Sequence, residues 1–361
     1  MKMLHCSDLH LSVTEKEYSF SVLREIVEKT IDAKAELLVF AGDVFDSFQD
    51  AEALASEFRE QVKPLTCEVL LLPGNHDISG SSIAGFSAID LGPKVIPLTK
   101  LPFGIFEKCG VEFLSIPFQR SLKDYVDWPV PPKGAGKHRV LIAHGTVDDM
   151  VFCMGQDEQS EKDDGAMDLD VFTRFQADYV AMGHIHGRRF KKSGSLEIHY
   201  PGSARVWRQN EVDARGFNLV EINSSVSVQF KELKSAGQFY SYQIPVELDG
   251  SIKVLSEVSA LWGPNDWVKI ECTGIVEDQN TVAQSEELLR EEFQPRVRQF
   301  DIDHPHLGSV AGIASHPLAK QFLTIWKEKE PAQGQDQKVW LKARELGLMA
   351  IKEELDKRND Q

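Results

Sequence analysis

Five short segments of the chain end in residues that bind hard or borderline metal ions. They are Asp8-Leu9-His10, Gly42-Asp43-Val44-Phe45-Asp46, Gly74-Asn75-His76-Asp77, Ala143-His144-Gly145 and Gly183-His184-Ile185-His186. Asp, His and Asn offer oxygen and nitrogen donors and no thiolate. That set suits Mn²⁺, Fe, Zn²⁺ or Mg²⁺ rather than copper or an iron–sulfur cluster. Seven ligand-type residues, Asp8, His10, Asp43, Asn75, His144, His184 and His186, are too many for one ion and fit two ions that share a carboxylate. Each segment alone has an ordinary reading: Gly42-Asp43 and Gly74-Asn75 suit turns, and His144 suits a hydrogen-bonded core histidine. It is their joint occurrence, each at the end of an apolar run, that carries the metal reading.

Something must bring residues so distant in sequence together. Met3-Leu4-His5-Cys6, Leu37-Leu38-Val39-Phe40-Ala41, Val69-Leu70-Leu71-Leu72, Val140-Leu141-Ile142 and Tyr179-Val180-Ala181-Met182 precede the five segments. Short apolar runs bounded by Gly, Pro and polar residues read as buried strands of a layered α/β domain. Ligands of such sheets collect at the carboxyl ends of strands, with Gly42, Gly74, Gly145 and Gly183 allowing sharp turns and close approach. Between the strands, Tyr18–Ala33 carries a helical stripe of Phe20, Leu23, Ile26, Val27 and Ile31. A second helix is expected over Asp50–Val62, with Asp46 either capping it or buttressing a ligand. Residues 79–87 and 121–137 read as loops. Residues 145–168 form a long acidic loop (Asp148, Asp149, Asp157, Glu158, Glu161, Asp163, Asp164) expected to overhang the site. Lys191–Glu232 reads as short strands completing the second sheet of a sandwich.

Beyond residues 233–238 the pattern restarts. A strand over Tyr242–Leu248, a helix over Ile252–Leu261, the alternating run Trp267–Cys272, a helix over Thr281–Phe293 and a strand over Val297–Ile302 make a βαβαβ unit. Ser315-His316-Pro317 opens a helix with an N-cap and an early proline, whose apolar face is Leu318, Phe322, Ile325 and Trp326. Leu341, Leu348 and Leu355 recur every seven residues beside Ile351, a spacing that suits docking on a coiled coil as well as packing on the chain's own domain. The expected division is residues 1–235, 240–305 and 306–361.

The order DLH, GDVFD, GNHD, H, GHIH resembles the calcineurin-like metallophosphoesterases. Ala177–His186, together with Tyr200-Pro201-Gly202-Ser203 and Gly216–Ile222, is similar to the SbcD-type DNA repair exonucleases, which partner an SMC-like ATPase. The resemblance implies a four-layer α-β-β-α sandwich with a smaller α+β C-terminal cap domain over the active-site cleft. It places Asp8, His10 and His186 on one metal, Asn75, His144 and His184 on the second, and Asp43 on both. His76 would face the substrate phosphate as a catalytic residue; the adjacent Asp77 either accepts its other ring N–H and fixes the tautomer or serves as a helix N-cap or turn residue. Two cations about 3.5–4 Å apart clamp phosphoryl oxygens and make a nucleophile of the water between them. A positioned His protonates the leaving alkoxide or stabilises phosphoryl charge. Mn²⁺ is expected to support the best turnover, with Fe, Zn²⁺ or Mg²⁺ as the alternatives.

Composition bounds the reading. The chain has 361 residues, 42% of them hydrophobic, and no apolar N-terminal stretch of secretory type. Cys6, Cys67, Cys109, Cys153 and Cys272 show no paired spacing, which suggests free thiols in a reducing cytoplasm. The net charge of −16 opposes a nucleic-acid substrate. Local basic text stands against it. Arg188 and Arg189 follow GHIH, and Arg205 and Arg208 flank Trp207 after the Tyr200–Ser203 segment; these four arginines are the expected substrate contacts. Trp207 either packs or stacks on a base. The expected function is a two-metal phosphodiesterase of the SbcD-like exonuclease/endonuclease kind acting on DNA, with an ATPase partner on the C-terminal helices and a homodimer as further expectations. The alternatives are a phosphodiesterase or phosphatase for a small substrate such as a cyclic nucleotide, and a non-catalytic scaffold, which the complete ligand set disfavours.

Overall fold

Alternate residues of each apolar run face opposite cores, and this period of two builds the layers of the first 238 residues. The chain is described from a computed structural model covering residues 1–119, 127–147, 150, 165–247, 249–254, 256–277, 280–314, 316–329, 331 and 335–359. It divides into two units, Met1–Gln238 and Phe239–Gln361. In the first, β1 (Lys2–Cys6), β2 (Leu37–Ala41), β3 (Glu68–Leu72) and β4 (Val95–Pro97) run parallel. A second sheet holds β5 (Gly104–Lys108), β6 (Val111–Ile116), β7 (Arg139–His144), β8 (Tyr179–Gly183), β9 (Arg189–Ser193) and β10 (Leu196–Tyr200), in the order β5-β6-β7-β8-β10-β9.

The text after Lys191 was expected to complete this second sheet, and only β9 and β10 do so. β11 (Gly216–Ile222) and β12 (Val226–Glu232) return to the first, whose order is β12-β11-β1-β2-β3-β4, with β11 antiparallel to β1. Their alternation explains the choice. Phe217 and Leu219 continue the outer core of the first sheet, and Val220 and Ile222 continue the core between the sheets.

Met3, Val39, Leu70, Val140, Ile142, Tyr179 and Ala181 fill the space between the sheets. The outer face of the first sheet (Leu4, Phe40, Val69, Leu71) packs against α1 (Lys16–Asp32) and α2 (Phe48–Val62). Phe20, Leu23 and Ile26 of α1 are buried, each contributing about 1.5–3 kcal/mol relative to exposure, whereas Ile31 of the expected stripe is exposed. α2 is capped by Ser47, whose hydroxyl accepts from Asp50 N, which leaves Asp46 free of that duty. The short α3 (Ile83–Ser87) adds Phe86 to the same core, and α4 (Leu169–Arg174) covers the second sheet with Val171 and Phe172. The layers are helix, sheet, sheet, helix. The acidic stretch at 148–149 and 151–164, with Cys153 in it, lies outside the described residues.

The second unit is a parallel sheet of β13 (Phe239–Val246), β14 (Trp267–Val276) and β15 (Gln299–Ser309). Of the helix expected over Ile252–Leu261 only α5 (Ser256–Ser259) forms, because Ile252 is drawn into an antiparallel bridge with Val246. α6 (Asn280–Phe293) crosses from β14 to β15. β15 runs past the expected end at Ile302; Pro305 is tolerated because the strand is at the edge and its register shifts there. α7 (Val310–Ala314), α8 (Pro317–Glu328) and α9 (Gln335–Asn359) follow, and Ile313, Ala319, Leu348 and Ile351 pack on Ile275 of β14. The N-cap of α8 is His316, not Ser315, which lies outside the described residues; its ring nitrogen accepts from Leu318 N. Trp326 and Trp340 stack at 3.6 Å, each indole N–H donating to the other's carbonyl. Leu318, Ile325 and Leu341 are exposed, so the expected apolar stripes are only partly buried. Among the described residues no helix is long and apolar enough to cross a membrane.

Candidate dimetal centre

The turns after β1, β2, β3, β7 and β8 bring all seven ligand-type residues to one place. The first two turns are laced together: Asp8 N donates to Gly42 O and His10 N to Asp43 O, each at 3.0 Å. The backbone is strained where the ligands sit. Asp8, His10, Asp43 and His184 have φ of 51°, 47°, 50° and 99°, a region that L-residues other than glycine rarely occupy. Such conformations cost about 1–3 kcal/mol each and persist at functional sites, where the surroundings enforce them. Gly42 and Gly74 are needed for close approach. A Cβ on Gly42 would lie 1.9 Å from His144 Nδ1, and one on Gly74 would lie 2.2 Å from Asp43 Oδ1.

Two ligand clusters result. Asp8, His10 and His186 have ligand atoms within 4.8 Å of one another, and so do Asp43, His144 and His184. Asn75 completes the second cluster, with Oδ1 3.0 Å from His144 Nε2 and 3.2 Å from His184 Nδ1. Asp43 also falls within 4.8 Å of His10 and His76, so its carboxylate stands between the clusters. His10 Nε2 and His186 Nε2 face each other at 3.2 Å. Burial, followed by repulsion from His186, holds His10 well below the ordinary imidazole range, so its lone pair is available. Buried lone pairs converging beside two buried carboxylates fit a pair of divalent cations.

The ion-free electrostatics say the same. Burial pushes Asp43 upward, but the imidazoles of His144, His10 and His76 outweigh it and hold the carboxyl well below its usual range. Burial alone would depress His144, yet Asp43 at 3.2 Å and Asp8 raise it to about 9. The field that draws a proton onto His144 also draws a cation.

Supporting residues aim the ligands. His144 Nδ1 donates to Ala41 O at 2.8 Å, which turns Nε2 inward. His186 Nδ1 lies 2.6 Å from Glu211, a buried carboxylate that also accepts from Trp207 N. Arg215 spans His186 O and Ser203 Oγ, both at 2.8 Å. Carboxylate–histidine pairs of this kind fix the tautomer and raise ligand basicity. Sequence reasoning missed Glu211 and Arg215. They lie in an irregular polar stretch, 25 and 29 residues after His186, with no periodicity to mark them.

His76 is half-buried at the mouth of the centre. Its Nδ1–H donates to the carbonyl of Asp46 at 2.9 Å, which leaves Nε2 for a substrate. The expected role of Asp77 is therefore corrected. Asp77 is fully buried and accepts from Phe45 N, Gly74 N and Val44 N, so it ties two turns together and does not orient His76. Burial and then repulsion from Asp43 push its pKa up to about 7. Asp46 serves the centre through that carbonyl; its carboxylate lies 3.3 Å from His10 Nδ1 but outside hydrogen-bond geometry. Trp207 packs flat on His10, with centroids 3.9 Å apart, and meets His76 edge-on.

Arg205 is also corrected. It is fully buried, donates to Leu9 O and His10 O and pairs with Glu15, so it braces the first ligand turn and has no face for substrate. Arg188 is exposed and stands over Phe230; Arg189 is half-buried; Arg208 lies over Trp207 at 4.3 Å.

The chain is similar to several known proteins. The chain is 24% identical over 275 residues to the DNA double-strand break repair protein Mre11 of Thermoplasma acidophilum, a stretch covering 68% of each chain. To that of Methanococcus maripaludis it is 25% identical over 256 residues, 63% of this chain and 65% of that one. It is 22% identical over 258 residues to an uncharacterised metallophosphoesterase, YhaO, of Bacillus subtilis, covering 64% of this chain and 60% of that one. A solved dimetal phosphatase from Danio rerio aligns over 64% of this chain and 96% of its own, with 12% identity and a TM-score of 0.45. The family model for calcineurin-like phosphoesterases matches residues 1–188, the stretch that carries all seven ligands, and the chain belongs to that family.

Proposed function

We propose that the chain is a two-metal phosphodiesterase of DNA, a nuclease working with Mn²⁺. The single observation that carries the hydrolytic part is the pair of ligand clusters joined by Asp43 with His76 beside them. When bound, two divalent cations neutralise phosphoryl charge and supply a nucleophile at neutral pH. The chain's own residues do the rest. Asn75 and His76, both half-buried, face the mouth where a phosphodiester enters. His76, held at Nδ1, offers Nε2 to the phosphoryl oxygens or to the departing alkoxide. Glu211, Arg215 and Arg205 hold the ligand turns rigid, so little reorganisation is left for the reaction. DNA as the substrate is supported by the names of the Mre11 relatives and by the cations near His186. On the second unit, Leu318 and Ile325 of α8 and Val339 and Leu346 of α9 are exposed apolar residues for an SMC-like ATPase to cover.

A small phosphodiester is the second reading, and the net charge of −16 favours it. Full-length protein loaded with Mn²⁺ should be tested on linear duplex DNA, single-stranded DNA and an aryl phosphodiester. Cleavage of all three is expected. Efficient hydrolysis of the ester with no DNA binding at low salt would replace the nuclease by the small-substrate enzyme.

A further inference from the structure

The two sheets of the first unit do not close on each other at one edge. β9 ends the second sheet and β12 ends the first. Between them is a cleft of about 370 Å³, lined on one side by Arg188, Arg189, Phe190 and Lys192 and on the other by Asn218 and Phe230. Phe190 is 73% exposed, the most exposed large hydrophobic side chain among the described residues. Its ring stacks on its cross-strand partner His199 at 5.8 Å, and His199 stacks on the buried Tyr179 at 5.3 Å. Three rings thus run from solvent into the core, which fixes the outermost one as a platform. Across the cleft, the Arg188 guanidinium lies 4.4 Å from the centroid of Phe230. The one carboxylate of the lining, Glu197, is paired with Lys192 and His199. Asn218 is almost wholly buried at the base of the cleft, beside the Tyr179 hydroxyl.

A single exposed phenylalanine is unremarkable. Here the ring shares its cleft with Arg188, Arg189 and Lys192, the last paired with Glu197, on a chain of net charge −16. Aromatic platforms beside Arg and Lys serve one ligand chemistry well: the base stacks and the phosphate pairs. We infer that this cleft binds a nucleotide unit of a single strand, its base on Phe190 and its phosphate on Arg188 and Arg189. The lining holds none of the seven ligands, but Arg188 follows the ligand His186 by two residues, which would let a strand running to the dimetal centre leave an unpaired nucleotide here. This deepens the nuclease reading and rests on it.

The test is binding of a short end-labelled oligothymidylate to the metal-free full-length protein, followed by fluorescence anisotropy, with free dTMP and inorganic phosphate as competitors. Phe190→Ala should weaken binding about 5- to 150-fold, the range of one base–aromatic stack. Arg188→Ala should lower the slope of log affinity against log salt by about 0.7, as for one lost phosphate contact on a single strand. Lys100→Glu, on an exposed lysine outside the cleft, should do less than either, and thermal unfolding checks that each variant is folded. dTMP should compete where inorganic phosphate does not; equal competition by phosphate would remove the base from the site and overturn the inference. If the intact protein binds the strand and neither cleft variant changes the affinity, the inference fails while the nuclease reading stands. If the intact protein binds no strand even at low salt, with or without Mn²⁺, the nuclease reading fails. A direct dTMP titration then decides the cleft: binding lost in Phe190→Ala supports it, and no binding overturns it.

Discussion

Asp43 is the residue on which both halves of the centre depend. Its carboxylate lies within ligand distance of His144 and His184 on one side and of His10 and His76 on the other. Asp43→Ala should therefore reduce metal content at both positions and abolish turnover; elemental analysis finding two ions per chain in the variant would disprove the bridge. His76 differs in kind, since its Nδ1 is committed to a backbone carbonyl and it stands at the mouth. His76→Ala should keep both ions and lose roughly 10²–10⁴-fold in kcat on an aryl phosphodiester. Loss of an ion, or near-normal kcat, would assign it elsewhere. A pH dependence follows from His144. Its ion-free pKa is raised to about 9, so the ring is protonated at neutral pH and must shed that proton before Nε2 can bind a cation. Apparent affinity for the second cation should fall roughly tenfold per pH unit as pH drops below about 9, with proton release on binding. Calorimetry in buffers of different ionisation enthalpy reads that proton; no release near pH 7 would mean that the ring is already neutral.

The ligand turns work as elements because glycine lets them interpenetrate. Gly74 packs so tightly on the second turn that a Cβ would lie 2.6 Å from Asp43 N as well as against its carboxylate. A backbone atom cannot swing aside, so Gly74→Ala should cost about 1–3 kcal/mol of stability and displace Asp43. Chemical denaturation and metal content check this, and a variant with unchanged values for both would mean the turns are looser than they look. How legible these elements were depends on periodicity. The strands of the sandwich announce themselves as apolar runs, and the turn after each run holds its ligands whatever the intervening loops do. The residues that brace the turns carry no such mark. Arg205 reads as a basic substrate contact because its text is basic, yet its partners are the carbonyls of Leu9 and His10, almost two hundred positions away. Asp77 adjoins His76 in sequence and faces the other way, since three backbone N–H groups claim its oxygens first. Contacts of this kind exist only after the sheets have assembled. The β11–β12 hairpin was misplaced for the same reason: its alternation shows a half-buried strand pair and does not say which sheet has a vacant edge.

At the scale of the molecule, every described residue placed in the centre lies before residue 239. The seven ligands, His76, and the bracing residues Asp46, Asp77, Arg205, Glu211 and Arg215 all belong to Met1–Gln238. That unit is also tied off at its own end. Ser235 donates through N and Oγ to Glu25 of α1, Tyr18 of α1 donates to Ala236 O, and Gln238 reaches Val212 O. The last turn of the unit therefore docks on the helix that covers the first sheet, and cutting before it would expose the Tyr18 hydroxyl and strip Ala236 from the core. A chain ending at Gln238 should fold, bind two ions and hydrolyse an aryl phosphodiester with a kcat within severalfold of the whole protein. One ending at Leu233 should be less stable by about 1–3 kcal/mol, the net worth of the lost Ser235–Glu25 and Tyr18–Ala236 hydrogen bonds. Circular dichroism, metal content and ester hydrolysis measured together separate the outcomes. A Met1–Gln238 chain that is folded yet binds no ions would show that the second unit contributes to the centre itself.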